Sequence, residues 1–378
     1  MKKSKIEFKL YKKKLIKEKS KLKYIILGEK QLKKNINNFI EKNSLSYDDV
    51  ILVPQYSDIK SRTEIDLSIS LTNNLHLQLP IISSPMNTVT ETNMANAINQ
   101  LGGLGILHRY NSIEYQCKLL SFVENENLRA AAIGISGDYK ERLQALITHG
   151  LKIVCLDVAH GDHIMMIECI EWIKKEYPSL YIIAGNVATA EGFVRLSSAG
   201  ADAVRVSIGS GSICTTRIQT GHGRPTLEAI FEINEIKKSL GLKTLIIADG
   251  GIKNAGDIIK SLAAGANLVM LGSLLSGTYE SPGRIVKNEK GSFKRYAGMA
   301  SKEAQLKGRG KYNSIEGIAT FVKFKGNVKY TINELQTNMK SGFSYSGARN
   351  QHELQENAIF QLQTLSSHFE GLPHILKV

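Results

Sequence analysis

The stretch Gly209–Arg217 reads GSGSICTTR and sets one cysteine, Cys214, in a glycine-rich turn two residues before Thr216. Gly209 and Gly211 allow backbone conformations that turn carbonyls or amides inward. A helix beginning just after Cys214 would favour its thiolate, which can attack an electrophilic carbon. Thr216 can present a hydroxyl to the same centre. A metal ligand and a small packing residue are the competing readings of this cysteine. Cys117, Cys155 and Cys169 form no CxxC pair and no Cys/His cluster, so neither a zinc site nor a disulfide framework is indicated. Such cysteine usage fits a reducing, cytoplasmic compartment.

Two other stretches suit an anion. IADGGIKNAGD (247–257) and LGSLLSG (271–277) set glycines where backbone N–H groups can approach a phosphate. Asp157, Asp249 and Glu316 are carboxylates able to orient a ribose or move a proton. Each taken singly also suits a cap or a surface charge.

The hydrophobic pattern shows what must hold these residues. Eight apolar runs alternate with amphipathic stretches of helical spacing: LPIISSPM (79–86), LGILHR (104–109), AAAIGIS (130–136), LKIVCLDVA (151–159), YIIAGNV (181–187), AVRVSIG (203–209), TLIIADGG (244–251) and LVMLGS (268–273). Runs that are apolar throughout predict strands buried on both faces of a parallel sheet. Eight βα units predict a closed (β/α)8 TIM barrel, with a doubly wound open sheet as the alternative. In a barrel the site lies where strands end and loops begin, and the run ends do collect reactive or turn-forming residues: Ser84, Met86, His108, Asp157, Asn186, the Cys214 loop, Asp249 to Gly251, and Gly272 with Ser273. The glycines suited to phosphate then follow strands 7 and 8, the usual anion position of such barrels.

Residues 276–330 break the rhythm and predict a flap over the barrel mouth within a single catalytic domain spanning 44–378. NQHELQENAIFQLQTLSSHFEG (350–371) predicts one amphipathic helix closing the chain. Residues 1–43 form a basic extension holding 15 Lys, no Arg and 4 Glu, a net +11 of the chain's +14. The basicity therefore belongs to the leader, and nucleic acid is not an expected partner of the rest; polyanion contact is a role open to the leader alone. No run is long and apolar enough to predict a membrane span.

LSYDDVILVPQ, SSPMNTVTE, AGNVAT, GSGSICTTR, ADGGIKNAGD, LVMLGSLLSGTYESPG and YAGM, in this order from about residue 45 onward, resemble the motifs of the IMP dehydrogenase/GMP reductase family. The resemblance implies a (β/α)8 barrel, commonly a homotetramer, that binds a purine mononucleotide (GMP or IMP) and a nicotinamide cofactor. It implies Cys214 as the nucleophile that attacks C2 of the purine to form a thioimidate, with Thr216 and Glu316 assisting. It places the nucleotide on Ser84, Met86, Ser212, Asp249, Gly250, Gly251, Gly272, Ser273, Tyr296, Gly298, Met299, Glu316 and Gly317. The cofactor falls to Ser61, Arg62, Arg109, Asp157, Ala159, Asn186, Ile208, Gly209 and Tyr312. Backbone carbonyls of Gly209, Gly211 and Cys214 match the family's monovalent-cation loop, for K+.

Within the family, the flap GKYNSIEG resembles the reductase's Tyr-x-x-x-Glu-Gly spacing, with Lys311 standing where a dehydrogenase has the arginine of its water-activating Arg-Tyr pair. KSRTEIDL (60–67) resembles the reductase's Ser-Arg segment, and Arg62 there can pair with the 2′-phosphate of NADPH. LHRYNSIEYQ leaves no room for the nucleotide-sensing insertion of many dehydrogenases. The expectation is therefore NADPH-dependent reductive deamination of GMP to IMP and ammonia. The alternative is oxidation of IMP to XMP with NAD by a dehydrogenase lacking the insertion. SSPMNTVTE, GGLGILHR and LDVAHG are closer to dehydrogenases. Asn87 stands where either branch often has Asp, Ser207 replaces a glycine and Asn313 a reductase arginine.

Overall fold

The computed structural model describes residues 44–309, 312 and 314–373. The basic extension, Lys311 and Asn313 lie outside the described residues.

The eight apolar runs become eight barrel strands. The chain enters through β1 (Val50–Val53) and a hairpin of β2 (Ile69–Thr72) and β3 (Leu75–Leu77). The barrel follows as β4 (Ile81–Ser83), β5 (Leu104–Leu107), β6 (Ala130–Ile133), β7 (Ile153–Asp157), β8 (Tyr181–Val187), β9 (Ala203–Val206), β10 (Leu245–Asp249) and β11 (Leu268–Leu271). Every neighbouring pair is parallel, and β11 closes on β4 with Met270 opposite Ile82. Most strands stop short of the runs that announced them, and the surplus residues are the loops that carry chemistry.

Alternation along each strand explains why the runs are apolar throughout. Ala130 and Ala132 of β6 join an interior cluster with Ile106, Ile153, Cys155 and Ile183, while Ala131 and Ile133 pack outward with the helices. Leu77, Leu71 and Leu75 of the β2–β3 hairpin pack onto the interior cluster as well. Between strands lie helices such as α1 (Thr92–Gln100), α2 (Ile113–Ser121) and α3 (Tyr139–Thr148). Only α2 and its short flanks separate β5 from β6, so no insertion interrupts the barrel there. No helix among the described residues is long and apolar enough to cross a membrane.

Two expectations change. The flap is a built layer: β12 (Val286–Asn288), β13 (Gly291–Ala297) and β14 (Ala319–Lys323) form an antiparallel sheet, with a helix at Lys302–Arg309 between the last two. The single closing helix is a correction. Residues 351–370 split into a helix Gln351–Asn357, strand β15 (Ile359–Leu362) and a helix Leu365–Glu370. β15 pairs antiparallel with β1, Val53 opposite Ile359 and Val50 opposite Leu362. The partner strand lies some 300 positions away, so local periodicity could not reveal it. Phe360 then packs edge-on against Phe231, ring centroids 4.8 Å apart.

Candidate active site

All the residues expected at the nucleotide line one cavity of about 450 Å³ at the C-terminal ends of the barrel strands. Ser84 and Met86 follow β4, Asp249 to Gly251 end β10, and Gly272 with Ser273 follow β11. Ser212 comes from the Cys214 loop. Tyr296, Gly298 and Met299 come from the end of β13, and Glu316 and Gly317 from the chain leading into β14. The volume suits a mononucleotide-sized ligand.

The Cys214 loop leaves β9 through Gly209, whose φ of +80° is left-handed and where a Cβ would lie 2.6 Å from Arg217 Cγ. The Cys214 N–H donates to the Gly211 carbonyl at 3.0 Å, closing the turn. The helix expected after Cys214 is a short one, Thr216–Thr220. The loop is laced to the flap segment: Thr215 N–H donates to the Glu316 carbonyl at 2.8 Å and Ile318 N–H to the Ile213 carbonyl at 3.0 Å. This lacing delivers a carboxylate to the thiol. Cys214 Sγ donates to Thr216 Oγ1 at 3.1 Å, and Thr216 donates to Glu316 Oε2 at 2.8 Å.

Among the cysteines Cys214 alone is half-exposed. Burial pushes the Cys155 and Cys169 thiols up to about 12, so both remain neutral packing groups. Among the described residues no group of three or more His, Cys, Asp or Glu is placed to hold a metal ion.

Arg205, which also lines the cavity, is buried on β9 and bridges two carboxylates. Its Nη1 donates to Asp157 Oδ1 at 2.6 Å, while Nη2 and Nε reach Asp249 Oδ2 at 2.8 and 3.1 Å. Asn186 Nδ2 adds a bond to the same Asp249 oxygen at 2.8 Å. Arg109 Nη2 donates to the Asp157 carbonyl at 2.9 Å, with Nε 3.4 Å from Oδ2. Burial would push the Asp157 carboxyl up, but Arg205 and Arg109 outweigh it and hold the group below the usual carboxylate range. Sequence reasoning missed Arg205, although its signal was present: one charged residue inside the apolar run AVRVSIG.

The anion-ready turns have open backbone. Gly250 and Gly251 sit at φ +96° and +80°, and a Cβ on Gly250 would lie 3.2 Å from the Gly211 amide. A Cβ on Gly272 would lie 3.2 Å from Tyr296 OH and 3.3 Å from Met86 Sδ. Tyr296 OH is 3.4 Å from Ser212 Oγ. Asn254 caps the following helix, Ala255–Ala263, by accepting from Asp257 N–H at 3.0 Å.

Of the residues expected at the cofactor, Arg109, Asp157, Ala159, Asn186, Ile208 and Gly209 line the cavity. This donor set fits the ribose and nicotinamide end of a dinucleotide: a carboxylate held ionised, an amide, and a glycine that leaves the backbone accessible. Ser61, Arg62 and Tyr312 do not line it. Ser61 caps a single turn, Arg62–Glu64, on an exposed stretch, and Tyr312 is 46% exposed. His108 is a further correction. Its Nδ1 accepts from Tyr110 N–H at 3.2 Å and its Nε2 faces Glu91 Oε1 at 3.2 Å, so it ties loops together away from the cavity.

A closed parallel barrel with a half-exposed cysteine, a Cys–Thr–Glu hydrogen-bond chain and glycine turns around one cavity at its mouth has the architecture of a (β/α)8 enzyme. The description of the IMP dehydrogenase / GMP reductase domain matches residues 44–374, and the chain belongs to that family of oxidoreductases of purine nucleotide metabolism. It is 36% identical to the inosine-5′-monophosphate dehydrogenase of Borreliella burgdorferi over 400 residues, covering 89% of this chain and 98% of that one. The enzyme of the same name from Bacillus subtilis is 32% identical, covering 89% and 96%. That from Nitrosopumilus maritimus is 30% identical, covering 88% and 98%.

Proposed function

We propose that the chain carries out the reductive deamination of GMP to IMP and ammonia with NADPH. The observation that carries this reading is the Cys214–Thr216–Glu316 hydrogen-bond chain. Cys214 Sγ attacks C2 of the purine, and the thiol proton passes through Thr216 to Glu316. Glu316 then protonates the 2-amino nitrogen, the C2–N bond breaks, and ammonia leaves a thioimidate on Cys214. A nicotinamide cofactor held at Asp157, Asn186 and Ile208–Gly209 would supply the hydride that C2 takes up. The C2–S bond breaks as that carbon is reduced, and the departing sulfur takes up a proton. One proton is consumed for each GMP converted to IMP and ammonia.

The remaining residues bind and orient. Asp249 faces the nucleotide ribose, the turns at Gly250, Gly251, Gly272 and Ser273 take its phosphate with Ser212 and Tyr296 beside it, and Gly298 and Met299 meet the base. Asp157, Asn186 and Ile208–Gly209 hold the cofactor's nicotinamide end, and Arg62 its 2′-phosphate. Potassium on the carbonyls of Gly209, Gly211 and Cys214 would steady the nucleophile's loop. A cytoplasmic homotetramer with one catalytic domain per chain, 44–378, belongs to the same proposal.

A second reading has specific support. The relatives named above are called dehydrogenases, which favours oxidation of IMP to XMP with NAD through the same thioimidate, resolved by water. The two directions separate in one assay. Purified protein is incubated with GMP and NADPH, and separately with IMP and NAD+, while absorbance is followed at the reduced nicotinamide band. Turnover in the first mixture is expected; turnover in the second alone refutes the reductive reading.

A further inference from the structure

Two flap lysines have no part in that chemistry, yet both end on the chain that forms the turn after β11. Lys325, two residues beyond β14, donates from Nζ to the Ser273 carbonyl at 2.7 Å and the Leu274 carbonyl at 3.1 Å. Lys294, fully buried on β13, donates to the Thr278 carbonyl at 3.0 Å, to the Tyr279 carbonyl at 3.3 Å and to the Ser281 carbonyl. Backbone bonds run beside them. Lys325 N–H donates to the Gly277 carbonyl at 2.9 Å, and Tyr279 N–H to the Gly326 carbonyl at 2.7 Å. Neither lysine lines the cavity.

An ammonium buried as deeply as that of Lys294 is costly to keep unless it is hydrogen-bonded, and three backbone carbonyls accept from it with Glu280 nearby, while Lys325 reaches its two carbonyls from an exposed position. An ammonium bound to a carbonyl fixes the peptide plane, and the N–H of the next residue must point the opposite way. It also offsets the partial negative charge of those carbonyls, which would otherwise repel an anion on the same turn. Side-chain hydroxyls complete the pattern: Ser276 donates to the Ser273 carbonyl, Thr278 to that of Leu275, and Ser281 to that of Thr278, each at 2.8 Å.

We propose, resting on the phosphate assignment above, that Lys325 and Lys294 are positioning residues for phosphate recognition. They hold the carbonyls of Ser273 and Leu274 and of Thr278, Tyr279 and Ser281, and so preset the course of the chain that carries the turn at Gly272–Ser273. Affinity for the phosphate of the nucleotide, and not for its base and ribose, then depends on groups that never touch the ligand.

The test compares nucleotide with nucleoside. Binding of GMP, IMP, guanosine and inosine to the full chain is measured by calorimetry for wild type, Lys325→Met and Lys325→Arg. Lys325→Met is expected to lose about tenfold in affinity for GMP and IMP while guanosine and inosine are unchanged, and Lys325→Arg to recover most of the loss. An equal fall for nucleotide and nucleoside, or no fall for either, overturns the proposal. Lys294→Met is expected to behave alike; should it not fold, Lys325→Met decides alone. The phosphate assignment fails separately, and visibly in the wild type, if guanosine binds as tightly as GMP.

Discussion

Thr216 gives its hydroxyl proton to Glu316 Oε2 at 2.8 Å across 100 positions of sequence, and in the same pose accepts from Cys214 Sγ at 3.1 Å. One hydroxyl therefore joins a thiol on a barrel loop to a carboxylate on the flap. Glu316→Gln keeps the shape but cannot accept the relayed proton. It should lower kcat by about 10²- to 10⁴-fold while KM for the nucleotide changes little. A variant with normal kcat would remove Glu316 from proton transfer.

Cys214→Ala should abolish turnover, a loss of more than about 10³-fold, together with any covalent nucleotide adduct in intact-protein mass spectrometry. The fold should persist, because the thiol is half-exposed and its loop is held by backbone bonds from Thr215 and Ile318. Retained adduct would place the nucleophile elsewhere.

Removing Arg205 takes the shared cation from two part-buried carboxylates, leaving Asp157 with Arg109 and Asp249 with Asn186. Arg205→Met should destabilise the chain by about 3–5 kcal/mol near neutral pH, read from denaturant unfolding. The pH dependence follows from Asp157, whose folded carboxyl lies below the usual range. Its stabilising contribution is complete above the unfolded value of about 4 and disappears as pH falls through the lower folded value. The gap between wild type and variant should therefore narrow on acidification. A gap independent of pH would mean the pair is not what Arg205 supplies.

Arg62→Ala tests the cofactor's 2′-phosphate. KM for NADPH should rise roughly tenfold or more, with KM for NADH unchanged. Arg62 lies on an exposed turn outside the cavity, so stability should not move. Equal changes for the two cofactors would refute the assignment.

Much of this site is legible in the chain because parallel barrel strands must be apolar at every position, so an Asp, Asn or Ser at the end of such a run marks the mouth. The residues expected at the nucleotide, Ser84 through Gly317, stand out in that way or by motif, and one cavity gathers them. What escaped depends on partners far along the chain. Arg205 sits inside a run read as apolar throughout, and only the fold brings Asp157 and Asp249 to flank it. AIFQL read as part of a helix, since nothing near it announces that β1 supplies its ladder. Lys294 of β13 carries no local signal either, and only the folded course of residues 278–281 gives its buried ammonium the carbonyls that accept from it.

The lacing between the Cys214 loop and the chain around Glu316 has a kinetic corollary. Because the Glu316 carbonyl holds the Thr215 amide while the Glu316 carboxylate holds Thr216, any excursion that lifts this chain unmakes the relay and its scaffold together. The thiol, half-exposed while the relay stands, would gain further access only in states that cannot turn over. Its alkylation rate by a small electrophile, measured with and without nucleotide, thus becomes a clock for how often the mouth opens.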